Sequence, residues 1–136
     1  MQRIVNKNDG SLIYEKDVET MKECVESAVF DGVVLLSARL SYENLVGAVL
    51  TTADFSHCDF FRGNCTSSDF SNSNLIEANF SQCNLFGVDF SGAELTNADL
   101  TRANLQGVVL TESQVDSLGV PLSDHQLSQV MIVVTD

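Results

Sequence analysis

Six side chains in this 136-residue chain have the types on which catalysis and metal binding most often draw: Cys24, Cys58, Cys65, Cys83, His57 and His125. No two cysteines form a Cys-x-x-Cys pair and the histidines lie far apart, so neither a zinc ligand set nor a disulfide framework is spelled out. His57 adjoins Cys58, the one pair resembling a nucleophile beside its base. No phosphate-cradling glycine loop and no nucleophile elbow occurs. Asn64-Cys65-Thr66 and Asn79-Phe80-Ser81 fit the glycosylation pattern, but a repeat in the sequence generates such triplets by itself. Nineteen Asp and Glu stand against seven Lys and Arg, a net charge of −12. That balance opposes direct nucleic-acid binding; it favours cationic partners or only solubilises the surface. The chain opens without a signal-peptide pattern and has no apolar run near eighteen residues, so the expected location is cytoplasmic, with no membrane contact.

What must position these groups is a period of five. From Phe30 to Val115 every fifth residue is bulky, and sixteen of these eighteen centres are Leu or Phe. Such fixed-period self-similarity marks a repeat architecture. Two places before the centre stands Ala, Cys, Gly or Ser in fourteen of the eighteen repeats, as at Ala48, Ala53, Cys58, Gly63 and Ser68; one place before it, from Asn44 to Asn104, stands Asp, Asn or Glu in all but Val49. Alternation along a short extended piece turns the small and large residues inward and the polar one outward. The two residues after each centre are mostly Ser, Thr, Gly, Asn or Gln, the types that turns favour. Cys58 then faces inward and His57 sits at an outward corner, so the two diverge. No catalytic site and no cofactor is expected, and the cysteines read as small buried hydrophobes.

The units Ala53-Asp54-Phe55-Ser56-His57, Ala78-Asn79-Phe80-Ser81-Gln82 and Ala98-Asp99-Leu100-Thr101-Arg102 resemble the pentapeptide-repeat protein family, over about two thirds of the chain. The resemblance implies an all-β solenoid, a right-handed quadrilateral β-helix with four repeats per coil and about four and a half coils. Residues twenty apart would then stack, Phe70 between Leu50 and Phe90 and Phe60 under Phe80. Stacking also places Glu43 at an inward position and sets Gly63 and Cys65 in one coil, which predicts local distortion or pinching there.

Stacked repeats need covered ends. Residues 1–27 are expected to form an N-terminal cap, a β-hairpin around Asn8-Asp9-Gly10 followed by a helix N-capped by Asp17. Residues 28–112 form the repeat region. Residues 113–136 form a C-terminal cap with a short helix starting at Thr111, a further turn at Ser123 and a strand-like run, Val130–Val134. The run has no evident local mate. Pairing with the N-terminal hairpin, pairing with a second copy as a homodimer, and service as an edge for another protein all stay open.

For function, a non-enzymatic protein-binding or scaffold module is expected. The candidate contacts are Phe61, Phe86 and Ile76, apolar residues at corner positions otherwise held by Ser or Thr, with Leu36 exposed by the same register. Carboxylates form three outward columns: Asp54 with Glu94, Asp59 with Asp99, and Asp69 with Asp89. By resemblance to the family's quinolone-resistance members these rows imply an acidic DNA mimic that binds DNA gyrase or another type II topoisomerase. The alternative is that Asp and Asn simply suit the repeat backbone.

Overall fold

Fifteen consecutive bends, one per pentad, govern the repeat region. The computed structural model describes residues 1–134. The second residue after each centre, from Ser37 to Gly107, has a positive φ; eleven of these are not glycine, and Gly47, Gly87, Gly92 and Gly107 fill the rest. Each bend is closed by a hydrogen bond from the residue three places after the centre, Ala38 N–H to Leu35 O (3.0 Å) through to Val108 N–H to Leu105 O (3.0 Å). A left-handed residue at the third turn position is the geometry of a type II turn. At Ala53 the turn is opened by an inserted hydroxyl: Ala53 N–H donates to Ser73 Oγ (3.1 Å), which donates to Leu50 O (2.7 Å).

Four pentads bring the chain back above its start. Residues twenty apart are joined by parallel bridges, Asn44 to Asn64 to Asn84 to Asn104 on one face and Asp54 to Asn74 to Glu94 on the opposite one. The centres fill the interior. Phe60 and Phe80 stack with ring centroids 4.6 Å apart and planes 2° from parallel, and Phe70 lies under Phe90 at 6.0 Å. Phe70 also meets Phe55, Phe60 and Phe80 edge-on at 5.5–5.6 Å, the geometry that aromatic quadrupoles favour. Inward Cys58 and Cys83 donate their thiols to Leu35 O and Phe60 O in the circuit before.

The expected all-β class is corrected by these elements. Among the described residues regular strands form only two two-stranded sheets, β1 (Gln2–Val5) antiparallel to β2 (Leu12–Lys16) and β3 (Val109–Thr111) parallel to β4 (Met131–Val133). Three helices accompany them, α1 (Met21–Phe30), α2 (Glu112–Ser117) and α3 (Asp124–Gln129). The fold is thus small and mixed α/β, and among the described residues no sheet closes or curls into the right-handed β-helix or solenoid that the resemblance implied. The cause is local. A bend in every pentad leaves a single bridged residue on each side of a circuit, too short a piece of extended backbone to propagate as a strand.

Both ends of the pile of circuits are closed by side chains as well as backbone. At the first, the N–H of Val49 has no circuit before it and donates instead to Glu26 of α1 (2.8 Å), while Arg39 N–H donates to Val5 O (2.8 Å). At the other, Gln114 donates to Phe90 O and Ala93 O, and Gln126 to Leu100 O and Ala103 O. Each of these glutamines is also the third residue of its helix, completing a capping box with Thr111 or Ser123. Buried carbonyls at an end would otherwise go unpaired.

Several local expectations change. Thr20, not Asp17, caps α1, and Asp17 instead lies 3.6 Å from the terminal amine. Phe30, counted as the first centre, ends α1 and is 91% exposed. Val130–Val134 contributes β4, whose mate is β3 rather than the N-terminal hairpin. The pinch at Glu43 is present: its turn hydrogen bond to Leu40 O is stretched to 3.4 Å, and a Cβ on Gly63 would stand 3.0 Å from Phe60 O and 3.3 Å from Glu43 O.

The left-handed bends hold stored strain that a substitution can release. Thr52 is β-branched with φ 54° and its exposed hydroxyl has no partner among the described residues. An L side chain there costs about 1–2 kcal/mol, and glycine gives back part of that through its freer unfolded chain. Thr52→Gly is therefore expected to raise stability by about 0.5–1 kcal/mol, seen as a higher urea midpoint with unchanged slope.

Candidate functional site

The outward residue before each centre does backbone work. Its side-chain oxygen accepts the N–H two residues on: Asp54 from Ser56 (2.9 Å), Asp59 from Phe61 (2.9 Å), Asp69 from Ser71 (2.9 Å), Asp89 from Ser91 (2.8 Å) and Asp99 from Thr101 (2.8 Å). The asparagines do the same, Asn64 for Thr66 and Asn84 for Phe86 (both 3.1 Å). This Asx turn supplies the bend with an acceptor, which is why Asp and Asn interchange at this place. Glu94 has one methylene more and bonds the Thr96 hydroxyl instead. Ser91, through its hydroxyl first and its N–H second, holds the Asp89 carboxyl below its ordinary range.

Of the three expected carboxylate columns, one brings its members together. Asp69 and Asp89 are bridged neighbours, whereas Asn74 stands between Asp54 and Glu94, and Asn79 between Asp59 and Asp99. On the Asp54 face the corner holds a polar contact that sequence reasoning missed, His57 Nε2 to Glu77 at 3.2 Å. His57 and Cys58 diverge as the alternation requires: Cys58 is fully buried and His57 only partly.

The apolar candidates separate as well. Phe61 is partly buried, with Tyr42 edge-on at 5.8 Å and the Arg62 guanidinium 5.7 Å from its ring. Ile76 is also partly buried. Phe86 is 47% exposed and has no aromatic partner among the described residues. Further exposed apolar side chains, Val49, Val109 and Met131, lie at the two ends of the column that includes Asp69 and Asp89. Val49 shows in the period as the one break in the Asp, Asn or Glu row, but the period does not mark the exposure of Val109 and Met131, which depends on how the cap ends the pile.

Chemistry inside is suppressed. Cys58 and Cys83 are pushed from 9.0 to about 12, and Cys65 is also raised, in each case chiefly by burial. A thiol held protonated is a poor nucleophile and metal ligand. Among the described residues no group of three His, Cys, Asp or Glu could hold a metal ion. A hollow of about 490 Å³ is an open cleft between α1 and the first circuit, lined by residues such as Gln2, Lys22, Glu43 and Asn44. Partial burial raises the Glu43 carboxyl pKa there.

The sequence pattern of pentapeptide repeats (8 copies) matches residues 28–64 and 64–102, more than half of the chain. The chain belongs to the pentapeptide-repeat family. Solved structures similar to it include two pentapeptide-repeat proteins. A pentapeptide-repeat protein of the Arabidopsis thaliana thylakoid lumen is 27% identical, with 68% of this chain and 70% of that one covered and a TM-score of 0.57. A pentapeptide-repeat protein from Nostoc Pcc 7120 is 22% identical, with 88% of this chain and all of that one covered and a TM-score of 0.64; at that identity the likeness is one of fold. No curated protein matches the sequence. No helix of this pentapeptide-repeat protein, among its described residues, is long and apolar enough to cross a membrane.

Proposed function

We propose that this pentapeptide-repeat protein is a non-catalytic module that binds another protein chain through its outer surface, with Phe86 in the contact. The observation that carries this reading is the distribution of exposed apolar side chains: the interior is filled by the centres, while Phe86 projects 47% exposed from a corner where Ser or Thr is the rule. Family membership supports a regulatory or scaffold role over a catalytic one. An aromatic side chain gains most when a partner desolvates it.

The topoisomerase-directed DNA-mimic reading has less support. The carboxylates are placed by the need of each bend for an Asx acceptor, and asparagine interrupts two of the three columns. The adjacent pair Asp69 and Asp89 is what remains in its favour.

The test is affinity capture from native lysate with the unaltered chain and with Phe86→Ser, beside Phe61→Ser as the less exposed control. Phe86→Ser is expected to keep the circular dichroism spectrum and lose at least about 90% of the captured partner, on the scale of a hot-spot loss. Capture that is undiminished by Phe86→Ser contradicts the reading, and recovery of gyrase subunits as the dominant partner restores the mimic.

A further inference from the structure

Phe30 keeps the period of a buried centre yet is 91% exposed, more than any other large apolar side chain among the described residues. Packing does not need it there, since Cys24, Val25 and Ala28 make the buried stripe of α1. The ring stands between two hollows. On one side Val29 and Val49, with Glu26 and Thr51, line about 390 Å³. On the other, Glu23, Glu26 and Asp31, with Lys16 and Val18, line about 420 Å³. An apolar seat thus adjoins an acidic one, with Phe30 and Glu26 shared by both.

Charge around the ring is unbalanced. Glu23, Glu26 and Asp31 make no ion pair among the described residues. Each meets an uncharged donor instead: Glu23 the Thr20 hydroxyl (2.9 Å), Glu26 the Val49 N–H (2.8 Å) and Asp31 the Tyr14 hydroxyl (2.6 Å). The neighbouring cations are Lys16, inside the acidic hollow, and Lys22, one turn before Glu26, whose Nζ would stand 3.8 Å from a Cβ on Gly47. The helix adds to the excess, because its C-terminal end carries the negative end of the dipole and its last turn has no basic residue. Beyond Val49 the same face continues through Asp69 and Asp89.

We propose that this surface docks a basic amphipathic segment of a foreign protein, an aliphatic side chain seated against Val29, Phe30 and Val49 and a Lys or Arg beside Glu23 and Asp31. Charge complementarity selects the occupant. An apolar seat next to three carboxylates and a single lysine fits a segment that carries aliphatic and cationic groups side by side. An anionic lipid surface is repelled by the same carboxylates. A second copy has no such segment to offer: its seven Lys and Arg stand singly, no two of them closer than four residues in the sequence. The contact goes beyond the reading of Phe86, for Phe30 belongs to α1 and Phe86 to the circuits, and each can be lost without the other.

Selection from a phage library of random peptides of about twelve residues, on the purified full chain, tests it. Peptides that bind the unaltered chain and not Phe30→Ser are expected to combine Leu, Ile, Val or Met with Lys or Arg. As free synthetic peptides they are expected to lose affinity at least about tenfold on Phe30→Ser, and likewise on Glu23→Gln with Asp31→Asn, each variant keeping its circular dichroism spectrum. The carboxamides retain the acceptors for Thr20 and Tyr14 and remove only charge. Affinity is also expected to fall between about 0.05 M and about 0.5 M salt. Phe86→Ser is expected to bind these peptides as the unaltered chain does. The proposal is overturned if no peptide depends on Phe30, if those that do carry no excess of Lys and Arg, or if the carboxamide variant binds them unchanged. Self-association that Phe30→Ser abolishes, or Phe30-dependent binding to vesicles of anionic lipid, assigns the surface to another occupant and overturns it equally.

Discussion

Phe70→Ala is expected to cost about 3–5 kcal/mol, measured by urea unfolding followed by circular dichroism. Phe70 is fully buried and touches four other rings, Phe55, Phe60, Phe80 and Phe90, so its removal empties the centre of the interior. The bridged backbone above and below has little freedom to close on the space, which puts the cost in the upper part of the usual range. Against a total stability of about 5–15 kcal/mol, such a loss brings the chain near unfolding at 25 °C. Phe86→Ala, the same deletion on a half-exposed outer ring, is expected to cost less than about 1 kcal/mol. Equal losses at the two positions would contradict the assignment of inside and outside.

The second large effect is alkaline unfolding. Cys58, Cys65 and Cys83 hold their protons in the fold well above the ordinary thiol value of 9.0, with Cys58 and Cys83 at about 12. The unfolded chain gives up these protons near pH 9, so above that pH it binds fewer protons than the native state and gains on it as pH rises. The contribution is absent below about pH 9 and grows through the window up to about 12. Each thiol lowers stability by about 1.4 kcal/mol per pH unit, and the three together by about 4. Urea midpoints measured between pH 8 and 11 are expected to fall steeply from about pH 9. Cys58→Ala combined with Cys83→Ala, both at places where the repeat ordinarily carries alanine, should remove about two thirds of the slope these three thiols contribute, leaving the parts due to Cys65, Cys24 and Tyr14. A flat profile in the unaltered chain would show that these thiols ionise as freely in the fold as outside it.

The parts of the molecule legible in the sequence are those that one pentad decides. Phe60 over Phe80 follows from period and resemblance together, and the inward places of Cys58 and Ser68 follow from alternation. The Asx turns, too, could be read from Asp54 or Asp69 standing two places before a serine. Where neighbours decide, sequence reasoning failed. Phe30 keeps the period but belongs to α1, because the helix substitutes for a circuit and its last residue points away from the interior. Gln114 and Gln126 carry no local mark of the carbonyls they cover, since those lie more than twenty residues away. The mate of β4 was missed for a similar reason: Val109 reads as one more pentad until the chain after it turns back. The class itself failed for a different reason, because pattern tells which residues stack but not whether the pieces between bends are long enough to make sheets. Of the candidate contacts, Phe61 and Phe86 look equivalent in sequence. Tyr42 and Arg62 cover the first, and no ring covers the second.

The twenty-residue register underlies every face assignment, and a pair of engineered thiols tests it directly. Asn74 and Glu94 are bridged neighbours on one outer face, while Asn84 belongs to the opposite face. Bridged outward residues are about 5 Å apart at Cα, within reach of a disulfide. Under mild oxidation of the native protein, Asn74→Cys with Glu94→Cys is expected to form an intrachain disulfide, read as a mass loss of about 2 Da, and Asn74→Cys with Asn84→Cys to form none. A disulfide in the ten-residue pair and none in the twenty-residue pair would contradict the register, and with it the faces and the stacked rings.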